Sequence, residues 1–395
     1  MTCLNKNGVS HLFINWGDTT IETDTINQSF PEKDDPFFDN LDYYHFRFST
    51  HDSLKINDLT DIFTKEELDR VRNENVFLVC HNSHEGFMTI VDTLYKQIVI
   101  KHRINPEKLI LLTNSQNIHE YAADVAKRYN KSMLQIKCIN TCELMTSQSL
   151  HTIDKSKIEF PKIENIKKCF LNFNRRWRFH RPALVALMKI RNLVDEGHIS
   201  LKQDIEEGSE WRKFLEQVEK TDLIRNEYLK QLYLENRKDI LNISDLVLDT
   251  ADFSSPIWYL TESTVNYYNE TYFSIVSETF YYKNDENHSI FLTEKTFKPI
   301  AHKHPFIVVS TPHFLYRLKE LGYQTFSPYI DESYDGEEDD DLRMIKIVNE
   351  IERLCNLSQE RLKEFLAACE PICEYNHNLL SNRLDYRRST KKYLY

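Results

Sequence analysis

Four arginines and a histidine crowd the segment Asn174-Arg175-Arg176-Trp177-Arg178-Phe179-His180-Arg181, and Pro182 follows at once. Arginine presents a planar fork of N–H donors that matches phosphate oxygens. Proline is favoured at the first position of a helix, whose start adds free N–H groups and partial positive charge. The segment therefore reads as an anion cradle. Two other readings of the same residues stand beside it: a solvated basic turn, and a nucleic-acid patch in which Trp177 and Phe179 stack on bases. A second cluster joins Phe273–Glu278, a strand ending on a carboxylate, to Thr293-Glu294-Lys295 at a helix start. Lys295 suits a phosphate as a point charge, and Glu294 can accept hydrogen bonds from sugar hydroxyls. An ordinary capped helix start is the alternative. The third cluster is Cys80-His81-Asn82-Ser83-His84-Glu85-Gly86, where Glu85, or His84 or His81, could take a proton from a hydroxyl. Asp18 ranks second for that task.

These clusters fall on loops of an alternating strand–helix pattern. His11–Trp16, Tyr43–Phe48, Val76–Cys80, Leu109–Thr113 and Leu134–Cys138 read as strands. Helices are expected from the capping box at Thr64–Glu67, over Met88 to Ile100, and over Ile118–Tyr129. The polar stretch Ser147 to Lys167 reads as a linker. A second series follows: strand Lys168–Phe173, helix Pro182–Val194, a charged and mostly helical region over 195–245, strand Tyr272–Ser277, helix Thr293–Ala301 and strand Pro305–Ser310. A helix that Gly322 ends and a short strand Tyr323–Phe326 come next. Two helices close the series, the first after the acidic run Asp331–Asp341 and the last capped by Ser358. Such alternation predicts an α/β fold with parallel sheets. We expect two Rossmann-like domains facing a cleft, over 1–160 and 161–395, with ligands at the carboxyl ends of the strands.

Composition narrows the chemistry. The 395 residues include only 7 glycines, and neither G-x-G-x-x-G nor G-x-x-x-x-G-K-[ST] occurs, so a bound nucleotide would rest on side chains and helix starts. The net charge of -11 disfavours non-specific nucleic-acid or anionic-membrane binding. No run of 18 apolar residues is present, so no membrane span is expected. The eight cysteines contain no C-x-x-C and read as reduced thiols, and a cytoplasmic location is expected. Asp339-Asp340-Asp341 formally contains D-x-D, but in an acidic run before a helix it reads as a solvated loop and helix N-terminal charge, and no metal is expected.

The order strand–Glu278, loop, Thr293-Glu294-Lys295-x-Phe297, then Pro305 and Ile307 in a strand resembles the core of family 10 glycosyltransferases, the α1,3/α1,4-fucosyltransferases. Phe170-Leu171-Asn172-Phe173 followed by Arg181-Pro182-Ala183-Leu184 resembles that family's strand, asparagine and helix-opening arginine. The resemblance covers about 140 residues of the second half. It implies a GT-B-type inverting transferase whose C-terminal half binds a nucleotide-diphospho-sugar, with GDP-fucose the first expectation and no further cofactor. By resemblance Arg181 and Lys295 hold the donor diphosphate and Glu294 contacts the donor. Glu278, Thr293 and Arg178 belong to the same donor-binding group. The N-terminal half would bind the acceptor, a glycan or other hydroxyl compound, and supply the base, with Glu85 and His84 the candidates. Three features depart from the family pattern: a longer loop before Thr293, Thr279 in place of asparagine, and Pro299 within the following helix. The chain reads without the membrane anchor of Golgi members. The rival expectations are a nucleic-acid-binding accessory protein using Arg175–Arg181 and an inactive scaffold of the same fold.

Overall fold

The computed structural model describes residues 41–47, 63–82, 86–151, 153–174, 177–201, 209–243, 246, 248, 260, 262–283, 285 and 288–383. The expected strand His11–Trp16, Asp18, His84, Glu85, Arg175 and Arg176 lie outside the described residues. The chain divides into two compact units, Met1–Thr141 with Arg383–Tyr395, and Cys142–Asn382. Each carries a four-stranded, wholly parallel sheet, as the strand–helix alternation predicts.

In the first unit the strands are β1 (Asp42–Arg47), β2 (Val76–Asn82), β3 (Leu109–Thr113) and β4 (Gln135–Cys138), and they lie in the order β1-β2-β3-β4. β3 is buried along its whole length, as a strand covered on both faces must be. Helix α1 (Lys65–Asn73) opens with the predicted capping box: Thr64 Oγ1 accepts from Glu67 N–H, and Glu67 Oε2 accepts from Thr64 N–H. The helix expected from Met88 begins at Ile90 as α2 (Ile90–Leu94) and widens into a π-helical turn over Tyr95–Ile100. Helix α3 (Ile118–Arg128) turns Ile118, Ala122, Val125 and Ala126 inward.

The boundary falls at Thr141 rather than near 160, because most of the presumed linker packs into the second unit. Helix α4 (Thr141–Leu150) donates from Ser147 Oγ to Leu380 O at 2.7 Å, and its Ser149 Oγ accepts from Leu260 N–H at 2.8 Å. Leu150 and Ile158 join the core of that unit.

The second sheet contains β5 (Phe170–Asn174), β6 (Gly197–Leu201), β7 (Phe273–Ser277) and β8 (Phe306–Val309) in the order β6-β5-β7-β8. β6 falls in the region read as helical; its Gly197 is required because a Cβ there would sit 2.1 Å from the Phe170 ring. Helices α5 (His180–Ile190), α6 (Ser209–Lys220), α7 (Glu227–Glu235), α8 (Arg237–Leu241) and α9 (Glu262–Asn269) occupy the excursions between β5 and β7. Helix α6 buries Trp211, Phe214, Leu215 and Val218 at the helical spacing seen in the sequence. The remaining helices are α10 (Glu294–Ala301), α11 (Phe314–Glu320), α12 (Asp340–Cys355) and α13 (Gln359–Ser381). Pro299 sits inside α10 without ending it. The expected strand over Tyr323–Phe326 does not form; the Asn376 carboxamide instead pairs with both the N–H and the C=O of Gln324 at 2.8 Å.

The acidic run is only partly solvated: Asp331, Glu338 and Asp339 are exposed, whereas other carboxylates bond the backbone. Asp335 accepts from Leu315 N–H and Tyr316 N–H, Glu332 from Phe326 N–H and Ser327 N–H, and Asp341 from Arg225 N–H and Asn226 N–H. Asp339 is the N-cap of α12, and Asp340 accepts from Lys283 N–H and Arg343. The D-x-D carboxylates thus cap the start of α12, as expected of helix N-terminal charge, and the buried Asp341 also ties the loop before α7 to it.

Candidate functional site

Chain order reverses between β5 and β7. From β5 the chain moves to β6 on one side, then crosses back to β7 on the other. In an open parallel sheet this switch point leaves room for a ligand beyond the carboxyl ends of the two strands. Here the strands also part: backbone pairing is confined to Phe170 with Phe273 and Leu171 with Ser274. Beyond it a side chain spans the gap. Asn172 Nδ2 donates to Ile275 O at 2.7 Å and to Ser277 Oγ at 3.3 Å.

The first turn of α5 closes on the end of β7. Arg181 is 2 % exposed, and its Nη2 donates to Ser277 O at 3.1 Å and Glu278 O at 3.2 Å. His180 Nε2 donates to Glu278 O at 3.0 Å, which fixes the proton on that nitrogen because a carbonyl can only accept. The ring stacks on Tyr281 at 5.4 Å. Burial holds the imidazole well below its usual pKa, and the positive charges of Arg181, Arg178 and Lys295 push it the same way. Cations from two distant stretches of sequence therefore act on one neutral histidine.

Glu278 is fully buried and organises the opposite wall. Its carboxylate accepts from Thr293 N–H at 3.1 Å, Thr293 Oγ1 at 2.6 Å, Thr296 Oγ1 at 2.6 Å and Thr279 N–H at 3.1 Å. Thr293 is the N-cap of α10, its Oγ1 accepting from Lys295 N–H. The carboxylate thus pins the start of α10 to the end of β7. Lys295 Nζ donates to Thr293 Oγ1 at 3.0 Å, Glu294 Oε1 at 3.1 Å and Thr279 Oγ1 at 3.4 Å, with its side chain 23 % exposed. Burial raises the pKa of Glu294, but the ammonium groups of Lys295 and Lys298 outweigh it and hold the carboxyl below its usual value. Glu294 is accordingly ionised at neutral pH, and a helix start carrying a partly exposed cation faces the switch point.

Of the residues singled out in the sequence, Arg178, Arg181, Glu278, Thr293, Glu294 and Lys295 come together around the end of β7. Glu85 and His84 lie outside the described residues. Glu278 is a structural clamp whose oxygens are taken up by the chain's own donors. Asn174 and Thr296 have no role in the sequence reading, and His180, counted there with the arginines of the anion cradle, is instead buried and neutral. Two asparagines alternating in the otherwise apolar strand Phe170-Leu171-Asn172-Phe173-Asn174 are the signal that could have found the first, since side chains two apart share a face. The aromatic residues of the basic segment are half-buried against the core: Trp177 meets Trp211 edge-on at 5.4 Å, and Phe179 meets Phe214 at 5.3 Å. Among the described residues no group of three or more His, Cys, Asp or Glu is arranged to hold a metal ion, and no helix is long and apolar enough to cross a membrane. The sequence matches no protein-family model and no curated protein.

Proposed function

We propose that the second unit binds a nucleotide-diphospho-sugar and that the protein is an inverting, GT-B-type glycosyltransferase resembling the α1,3/α1,4-fucosyltransferases. The observation that carries the reading is the meeting of Arg181 and Lys295 at one strand end. Arg181 bonds the carbonyls of Ser277 and Glu278, and Lys295 bonds Thr279, the next residue. They lie 114 positions apart in sequence (295 minus 181). Positive charge fixed in place before reaction stabilises the negative charge that develops on a leaving diphosphate. Lys295, partly exposed, is the direct phosphate contact; Arg181, buried on carbonyls, adds its charge from beneath and holds the strand end in place. Arg178 adds a third cation.

In the proposed reaction the acceptor oxygen attacks the anomeric carbon as the bond from that carbon to the diphosphate oxygen breaks. The electron pair leaves with the diphosphate. The hydroxyl proton passes to a base in the first unit, for which Glu85 and His84 are the candidates from the sequence. Against the nucleic-acid alternative, part of each of the Trp177 and Phe179 rings is taken up by neighbouring aromatic rings. The test is a thermal-shift and hydrolysis screen of GDP, UDP, GDP-fucose, UDP-glucose and a single-stranded oligonucleotide. Stabilisation by a nucleoside diphosphate, with donor hydrolysis lost in Lys295→Ala, supports the reading. Stabilisation by the oligonucleotide alone contradicts it, and binding without hydrolysis leaves the scaffold alternative standing.

A further inference from the structure

The asparagines at the end of β5 form a relay whose direction is fixed. Ile275 O can only accept, so the atom 2.7 Å from it is the Nδ2 donor of Asn172. The Oδ1 of Asn172 then faces Asn174, and the atom 2.5 Å from it must be Asn174 Nδ2. Flipping either amide would set donor against donor or oxygen against oxygen. The relay therefore ends on Asn174 Oδ1, a buried acceptor without a hydrogen-bond partner among the described residues, in a residue 2 % exposed. The neighbouring strand offers no polar side chain in register, since Asn174 lies beside Leu201. Leaving a buried acceptor unmade is costly, and such an atom at a switch point is a functional-site signal.

We infer that Asn174 Oδ1 accepts a hydrogen bond from a hydroxyl or N–H group of the bound ligand. The inference rests on the nucleotide-sugar reading and adds to it a division of labour. Phosphate oxygens carry no proton to donate at neutral pH once ionised, so the diphosphate cannot satisfy this atom. The complementary group belongs to the nucleoside or to the sugar. The ligand is then held at two chemically distinct points: an acceptor on β5 for its donating group, and a cation on α10 for its phosphates. A site that hydrogen-bonds a ligand hydroxyl or N–H discriminates strongly against analogues lacking it, because the buried group is then left without a partner.

The test is calorimetric titration of the full chain with inorganic pyrophosphate, with GDP and UDP, and with GDP-fucose and UDP-glucose. It compares wild type, Asn174→Leu and the double variant Asn172→Leu/Asn174→Leu. The double variant removes the whole relay, so that no Asn172 oxygen is stranded, and its melting temperature reports that the unit still folds. Pyrophosphate affinity is expected to be unchanged. A loss of about tenfold or more for the nucleoside diphosphate that the wild type binds assigns the donating group to the nucleoside. A loss confined to the corresponding nucleotide-sugar assigns it to the sugar. Unchanged affinity for every probe overturns the inference and leaves the nucleotide-sugar reading intact. An equal loss for pyrophosphate also overturns it, since Asn174 would then act only by shaping the site. Failure of the wild type to bind any of these probes ends the nucleotide-sugar reading and this inference with it.

Discussion

The two units share a four-stranded parallel sheet yet differ at their strand ends. In the first, the buried polar residues described there are Asn82, Thr113, Asn114, Ser115, Asn140 and Thr141, with Lys137 the one charged side chain among them, near the end of β4. In the second they include His180, Arg181, Glu278 and Glu294, with Lys295 beside them. Strand order differs in step. The first sheet runs β1-β2-β3-β4 without reversal among the described strands, whereas the second reverses between β5 and β7. The lesson is that an α/β sheet by itself specifies no chemistry; the reversal opens the gap, and charge then has somewhere to converge.

Arg181→Ala should break the contrast most severely. It empties a buried arginine site, removes the Arg181 donor from Ser277 O and leaves Glu278 O with His180 alone, so we expect a loss of about 3 kcal/mol or more in urea unfolding. In the first unit Arg128, 56 % exposed and paired with Asp92, should cost no more than about 1 kcal/mol as Arg128→Ala. Equal losses at the two positions would erase the distinction.

Acid should act next, through the second unit. Burial pushes the pKa of His302 down to about 3 and that of His304 to about 4, and holds His180 well below its usual value. The unfolded chain therefore binds protons that the folded chain refuses. The stabilisation is complete above about pH 6.5, the unfolded value, and declines as pH falls toward the folded values. The melting temperature should drop by about 5 °C or more between pH 7 and pH 5. A flat profile over that range would contradict the buried neutral histidines.

Glu278→Gln is expected to be smaller, about 1–3 kcal/mol, because an amide NH2 replaces one of the two oxygens that the surrounding donors need. The same change should loosen the start of α10 and weaken nucleotide binding. Lys295→Ala should lower nucleoside diphosphate affinity by more than tenfold, about 1.4 kcal/mol in binding, while moving the melting temperature least of the three second-unit substitutions. A large loss of stability there would make Lys295 a second clamp rather than a ligand contact.

Much of this site is legible in the sequence. Thr293 as helix cap, Glu294 and Lys295 at the first turn, and Glu278 at a strand end are all local signals, and local signals survive folding. What is not legible is where partners come from. Glu278 draws its donors from Thr293 and Thr296, fifteen and eighteen residues away. No local pattern announces that this carboxylate is consumed by the fold. β6 is hidden because a five-residue strand carrying glycine, histidine and serine has no clear two-residue period, and its place is set by β5 beside it. The strand expected at Tyr323–Phe326 loses to a side chain, since Asn376 on α13 takes the backbone groups that a neighbouring strand would have paired. The acidic run reads as surface charge because spacing cannot reveal that some of its carboxylates meet backbone N–H groups far away in the sequence.

The most direct measurement is a crystal structure of the full chain soaked with GDP or UDP, whichever stabilises it. The account predicts the diphosphate within hydrogen-bonding reach of Lys295 at the carboxyl end of β7, with Arg181 beneath it. A diphosphate bound at the strand ends of the first unit, or anywhere remote from Lys295, would contradict it.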